Sequence, residues 1–152
     1  MKLICDEMLQ GLGRWLRAAG YDTAIARRGL DDRDIVGIVR SERRTLLTCD
    51  RELGGRVELE GRVVALVPSG LDAAALEVRD RLQIDWLCAP FTRCLLDNTP
   101  LRPAAPGELS KLPAPAREGP GPIRTCPACS RIYWPGSHVR RMRARLERWQ
   151  AA

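Results

Sequence analysis

The sequence predicts an α/β fold with a mainly parallel sheet, followed by a small metal-binding module and a basic C-terminal helix. Three observations carry this reading. Short β-rich runs alternate with segments of helical apolar periodicity through residues 1–85, the pattern of a sheet built from β-α-β units. Further on, residue pairs at metal-ligand spacing, Cys94-x-x-Asp97 and Cys126-x-x-Cys129, flank a proline-rich stretch. From Arg131 to Ala152 there are six arginines against one glutamate, on helix-forming sequence.

Taken in order, Leu3-Ile4-Cys5-Asp6 reads as a short strand ending in a carboxylate. Met8, Leu9, Leu12, Trp15, Leu16 and Ala19 then recur at helical spacing, and Gly20 supplies the stop. Tyr21 to Ala26 is a second strand. Asp32 heads a helix made apolar on one face by Ile35, Val36, Ile38 and Val39, and Asp31-x-x-Asp34 resembles a capping box. Thr45 to Thr48 is a buried strand running into Cys49-Asp50, and Val63 to Val67 is another. Pro68-Ser69-Gly70 breaks the pattern before a helix over Leu71 to Leu82. The first domain is therefore expected over 1–85 and the second over 86–152. Seven of the chain's 11 prolines lie between Pro100 and Pro122, which predicts a surface loop inserted between the halves of the metal module. His138 to Gln150 closes the chain as a helix with Val139, Met142, Leu146 and Trp149 on one stripe.

The 152 residues allow one real core plus a small appendage. The apolar runs are too short to span a bilayer. Asp6 and Glu7 interrupt any signal-peptide apolar region, so the expected location is cytoplasmic. In that compartment six cysteines argue against a disulfide framework. Cys5 and Cys49 are expected to pack as small buried hydrophobes. A redox role for the Cys126 pair fits poorly, because proline-rich sequence rather than a strand precedes it. Of the net charge of +6, nearly all belongs to residues 131–152, as in a polyanion-binding extension; the plain alternative is a solvated arginine-rich helix.

Asp6, Asp32 and Asp50 each have an adequate role as helix caps. Their recurrence at two strand ends and one helix start is what points further, because parallel sheets form sites beyond the carboxyl ends of their strands. Clustered carboxylates repel unless a cation joins them, and oxygen donors suit Mg²⁺ or Mn²⁺, which can polarise a phosphate. Cys94, Cys126 and Cys129 suit Zn²⁺, with Asp97 as the fourth ligand and His138 its alternative; Cys88 is more distant. A hard-metal acidic site beside a zinc module on a basic chain points to nucleic-acid chemistry.

The segment Asp6-Glu7-Met8-Leu9-Gln10-Gly11-Leu12-Gly13-Arg14-Trp15-Leu16-Arg17-Ala18-Ala19-Gly20-Tyr21-Asp22-Thr23 resembles the opening of the Mut-seven C-terminal domain family, a PIN-like group of ribonucleases with a C-terminal zinc ribbon. Leu46-Leu47-Thr48-Cys49-Asp50-Arg51-Glu52-Leu53 is similar to its T-R-D-x-x-L segment, with Cys49 in place of Arg. Arg93-Cys94-Leu95-Leu96-Asp97-Asn98 is similar to its R-C-x-x-C-N element, with Asp97 in place of Cys. Cys126 to Cys129, Tyr133-Trp134 and Gly136-Ser137-His138 complete the pattern. The resemblance implies a PIN-like fold in which Asp6, Asp32 and Asp50, with Thr48 beside them, hold one or two Mg²⁺ or Mn²⁺ ions and hydrolyse RNA by a metal-activated water. Arg14 and Arg17, in its R-W-L-R element, bind phosphate on this reading, or else are exposed helix positions or partners of Asp22. Arg51, Arg140, Arg141, Arg143 and Arg145 complete the expected RNA-binding set. His138, the chain's one histidine, lies in the ribbon, which favours metal-dependent cleavage. The competing expectations are a non-catalytic adaptor for single-stranded or structured RNA, and a PIN toxin held by an antitoxin; a homodimer is a further expectation.

Overall fold

The computed structural model describes residues 1–59 and 61–152. Its first half is a four-stranded, all-parallel sheet made of β1 (Lys2–Cys5), β2 (Asp22–Ile25), β3 (Thr45–Thr48) and β4 (Val63–Ala65), in the order β2-β1-β3-β4. The connections are α1 (Gln10–Ala18), entered through a 3₁₀ turn at Glu7–Leu9, then α2 (Asp32–Glu42), then the single turn α3 (Arg51–Gly54). After β4 comes α4 (Leu71–Leu82).

Successive strand residues face opposite sides of the sheet. Leu3, Cys5 and Leu47 join a core with Leu12, Leu16 and Val78, whereas Ile4 and Leu46 join a second core with Ile35, Val39 and Leu53. Burial on both faces explains why these strands read as unbroken apolar runs rather than alternating ones. Cys5 is fully buried in the first core, as the sequence leads one to expect, whereas Cys49 is only partly buried at its edge. The chain leaves β1 for β2 on one side and returns to β3 on the other, so the sheet's switch point lies between β1 and β3. A crevice opens at the carboxyl ends of such strands.

Beyond residue 85 a second, small antiparallel sheet is built from β5 (Arg102–Pro103), β6 (Arg124–Thr125) and β7 (Ile132–Tyr133). The proline-rich stretch is more ordered than a plain loop. It holds two one-turn helices, α5 (Pro106–Leu109) and α6 (Ala114–Arg117), each with proline in its first turn, where a missing N–H is harmless. The chain ends in α7 (Ser137–Ala151), whose Met142, Leu146 and Trp149 are buried.

The first core crosses residue 85. Trp86, Leu146 and Trp149 pack among the side chains of α1 and α4. The Trp149 ring meets Trp15 at 5.0 Å and Trp86 at 4.9 Å between centroids, and its Nε1 donates to Asp72 Oδ1 at 2.7 Å. Gly20 permits another close approach: it sits at φ +102°, and a Cβ there would lie 2.4 Å from the Ala89 carbonyl oxygen.

One buried arginine ties the halves together, and a second braces the strand ends beside it. Arg17, expected at an RNA-facing surface, is only 6% exposed. Its Nε donates to the Thr23 carbonyl at 2.7 Å, and its Nη1 to the carbonyls of Leu95 and Leu96 at 3.0 and 2.8 Å. It does not pair with Asp22. Arg44 takes that partner at 2.7 Å and also donates to the Leu3 carbonyl. Asn98 Nδ2 donates to the same Asp22 oxygen at 2.7 Å, and Asn98 Oδ1 accepts from Thr23 N at 3.0 Å. Burial pushes the Asp22 carboxyl up, but the hydrogen bonds from Arg44 and Asn98 win and hold it below the usual carboxylate range.

Two outcomes follow from this packing. Trp149→Ala should lower stability by about 3–5 kcal/mol, read as a fall in the urea midpoint. Arg17→Met keeps the stem but strands three carbonyls, and should lower stability by at least about 2 kcal/mol.

Candidate functional site: an acidic cleft and a thiolate cluster

The crevice at the switch point is acidic. Asp6 follows β1, Asp50 follows β3, and Asp32 is the first residue of α2. With Glu7, Arg27 and Leu30 they line a cleft of about 120 Å³. Asp6 is the buried member, only 4% exposed. Its Oδ1 accepts from Met8 N and Leu9 N at 2.9 and 3.1 Å, capping the 3₁₀ turn. Its Oδ2 accepts the Thr48 hydroxyl and Cys49 N. Four donors fill the capacity of one carboxylate.

Thr48 therefore acts as a relay. Its hydroxyl donates to Asp6 and accepts from Asp50 N at 2.9 Å. Asp50 in turn caps α3, with Oδ1 accepting from Glu52 N and Leu53 N at 2.8 and 3.2 Å; its Oδ2 bonds to none of the described residues. Asp32 does not cap α2. The cap position belongs to Asp31, whose side chain makes no capping bond, so the expected capping box is absent there. Asp32 instead pairs with Arg56 Nη2 at 3.3 Å. Glu7 was not singled out by the sequence reading, although its adjacency to Asp6 is a signal. It lines the same cleft and accepts from Gly29 N at 2.9 Å. Arg56 was missed too, because it lies on no motif.

The three aspartates share a cleft without converging on a point. Among the described residues, the one group of three or more metal-ligating side chains with ligand atoms within 4.8 Å of one another is Cys94, Asp97, Cys126 and Cys129. Two similar turns present it. The Asn98 N–H closes on the Cys94 carbonyl at 3.0 Å and the Ser130 N–H on the Cys126 carbonyl at 2.9 Å. Asn98 and Ser130 each take positive φ, 71° and 60°. Cys94 Sγ lies 3.7 Å from Cys129 Sγ, and Cys126 Sγ lies 3.3 Å from Asp97 Oδ2. Asp97, not His138, completes the group; His138 is exposed on the first turn of α7 and Cys88 is exposed elsewhere. The Arg131 backbone N–H favours the Cys129 thiolate, but burial and the neighbouring Cys126, Asp97 and Cys94 push that thiol up to about 12. Four acidic ligands crowded together suit a cation, and the cluster could hold one.

The expected RNA-binding arginines fall into two kinds. Arg14, Arg51, Arg140, Arg141 and Arg143 are exposed. Arg17 is buried as described, and Arg145 is committed internally: its Nη2 pairs with Asp72 at 2.8 Å and its guanidinium lies over Trp149 and Trp15 at 5.0 and 5.3 Å. Among the described residues no helix is long and apolar enough to cross a membrane.

No curated protein and no solved structure matches the chain. A family model does, over residues 1–146 of the 152, and it carries the description Mut7-C RNAse domain. That description makes RNA the substrate class and nuclease activity the kind of chemistry associated with this architecture. With nearly the whole chain matched, the protein belongs to the Mut7-C RNAse domain family.

Proposed function

We propose that the chain is a metal-dependent endoribonuclease that hydrolyses RNA phosphodiester bonds in the acidic cleft. Residues 1–85 form its PIN-like part; residues 86–152 form a zinc ribbon and basic helix that aid RNA binding. One observation carries the reading: Asp6, Asp32 and Asp50, from two strand ends and a helix start, line a single cleft at the sheet's switch point.

The cleft's donors are all oxygen, the kind that suits Mg²⁺ or Mn²⁺. Their hydrogen bonding divides the labour. Asp32, Asp50 and Glu7 each have an oxygen without a hydrogen bond to a described residue and would hold the ion. Asp6 is saturated by its four donors and would join once one of them, the rotatable Thr48 hydroxyl, turns away. An ion bound there supplies an acidified water and a counter-charge for phosphate oxygens. Asp6 and Thr48 position the 48–50 turn, and Arg56 is placed to bind phosphate when it leaves Asp32.

At the second site, Zn–S bonds of about 2.3 Å at tetrahedral angles put sulfurs about 3.8 Å apart, against 3.7 Å between Cys94 and Cys129. That match supports structural zinc on Cys94, Asp97, Cys126 and Cys129. The saturation of Asp6 is the observation that favours the second reading, a non-catalytic RNA-binding adaptor. An antitoxin or homodimer is not part of the proposal.

Asp50→Asn keeps the acceptor oxygen that caps α3, since Asn caps as well as Asp, and Asp32→Asn gives up only an ion pair with the part-exposed Arg56. Each should leave the urea midpoint nearly unchanged while slowing Mg²⁺- or Mn²⁺-dependent cleavage of single-stranded RNA at least about a hundredfold. A double variant that cleaves as fast as its parent removes these residues from the site, and a parent inert with both metals supports the adaptor. Asp6→Asn is a poorer probe, because its amide nitrogen cannot accept hydrogen bonds and stability should fall too.

For the zinc site, Asp97→Cys should lose metal to a chelator more slowly than the parent, and Asp97→Ala faster, since sulfur is the softer ligand. His138→Ala should match the parent. If His138→Ala releases zinc while Asp97→Ala retains it, the ligand assignment is wrong.

A further inference from the structure

An aromatic-walled pocket away from the acidic cleft has no role in the chemistry described so far. Its volume is about 370 Å³, and Phe91, Leu96, Tyr133, Trp134, His138 and Met142 contribute to its walls, with Arg131 beside them. That size falls within the range of small-molecule clefts, about 300–1,000 Å³. A second cavity of about 100 Å³ shares Phe91, Tyr133 and Trp134 and adds Arg124 and Arg143. The same aromatic wall thus has an apolar slot on one side and two cations on the other. Arg143 sits 5.7 Å over the Phe91 ring.

The wall is built rather than incidental. The Tyr133 hydroxyl accepts from Leu95 N at 3.2 Å and lies 3.2 Å from Cys94 Sγ, so its ring is fixed to the thiolate cluster. Beside it, Trp134 is left 37% exposed. Gly136 lets its ring lie close to the backbone: a Cβ there would be 3.0 Å from Trp134 Nε1. Leu96, 53% exposed, stands at the rim.

We infer that this pocket takes an unpaired nucleobase of single-stranded RNA, stacked on Trp134, with the adjoining phosphate at Arg124 and Arg143. The inference rests on the ribonuclease reading for its ligand, and extends it to a substrate-anchoring site. Charge decides among occupants. Among the described residues, Arg124, Arg131, Arg140, Arg141 and Arg143 make no ion pair with a carboxylate, whereas Arg145, further along α7, does. A second copy docked on this face would bring those cations against their own duplicates. Single-stranded RNA offers flat π-faces and phosphates together, and stacking tolerates any base. The pocket also lies at the far end of the sheet from the chemistry. Its Leu96 carbonyl accepts from Arg17, which also holds the Thr23 carbonyl, and the neighbouring Asn98 bonds to Asp22 and Thr23 at the start of β2, while the carboxylates follow the ends of β1 and β3. A four-residue strand spans about 13 Å, so one RNA must extend at least that far to touch both.

The test measures equilibrium binding of a fluorescein-labelled 12-nucleotide single-stranded RNA to the full chain, and of the same sugar–phosphate backbone without bases. Trp134→Ala should weaken binding of the RNA about 5- to 100-fold, with Trp134→Phe restoring most of it. The slope of log K against log salt should stay unchanged in Trp134→Ala, and flatten by about 0.7 in Arg143→Ala. The abasic strand should bind parent and Trp134→Ala alike. Leu96→Glu, which places an anion at the rim of an intact wall, should weaken binding too and decides the matter if Trp134→Ala does not fold. RNA bound equally by parent, Trp134→Ala and Leu96→Glu would overturn the pocket while leaving the ribonuclease reading untouched. A parent that neither binds nor cleaves RNA would overturn both. Sedimentation of a parent dimer that Trp134→Ala dissociates would make the pocket a self-interface and overturn the nucleobase assignment.

Discussion

The buried carboxylate of Asp6 constrains the geometry of everything around the acidic cleft. An ionised group out of water must be met by donors, and Asp6 has four, from two separate segments. Two are backbone N–H groups of the 3₁₀ turn that follows β1. The other two come from the last residue of β3 and the residue after it. Satisfying one carboxylate therefore locks the ends of the two central strands to each other. Thr48 passes the constraint on, since the oxygen that donates to Asp6 also receives Asp50 N. The direction in which Asp50 leaves the sheet is set by how Asp6 is buried.

The opposite end of the sheet solves a different problem with the opposite charge. There the N-terminal ends of β1 and β2 and the turn around Cys94 bring backbone carbonyls together, and two buried guanidiniums bind them. Arg17 links β2 to the thiolate cluster; Arg44 links β1 and Asp22. Arginine suits both places because its planar fork donates in several fixed directions at once. The thiolate cluster is thus attached to the sheet through polar contacts, while α7 is attached through packed tryptophans together with polar contacts to α4.

Helices of the first half were legible because each carried its own period, strands because they are short unbroken β-rich runs, and the positive-φ stop at Gly20 because glycine marks it. The C-terminal stripe was legible for the same reason, down to Met142, Leu146 and Trp149. What sequence could not separate was the fate of individual arginines. Arg14 and Arg17 sit in one motif, one exposed and one buried; the difference is a rotation of about 300° around the helix, which at 3.6 residues per turn brings Arg17 onto the face toward Thr23. Arg145 reads as tail charge until Asp72 is seen beside it. The one-turn helices α5 and α6 are too short to show a period. That Asp97 rather than His138 lies with the three cysteines needed distances, since both fit by spacing. Trp86 and Trp149 lie far apart in sequence, and the core they share could not be read from either neighbourhood.

The uneven charge has a physical use on the proposed reading. A cleft lined by Asp6, Asp32, Asp50 and Glu7 repels a phosphate backbone until a cation occupies it, so the cleft contributes little to holding RNA. Affinity has to come from elsewhere on the chain. Counterion release gives it cheaply to any surface that presents several unpaired cations, and Arg124, Arg131 and Arg143 around the aromatic pocket do so away from the cleft. Placing those arginines beside the carboxylates would instead have neutralised them, as Arg56 already does for Asp32, and would have competed with the metal. Arg145 shows the same logic inside α7: where the helix meets the acidic Asp72 its charge is cancelled and used for packing. Separation of the binding charge from the reacting charge is what lets a nearly neutral body and a cationic helix serve one substrate.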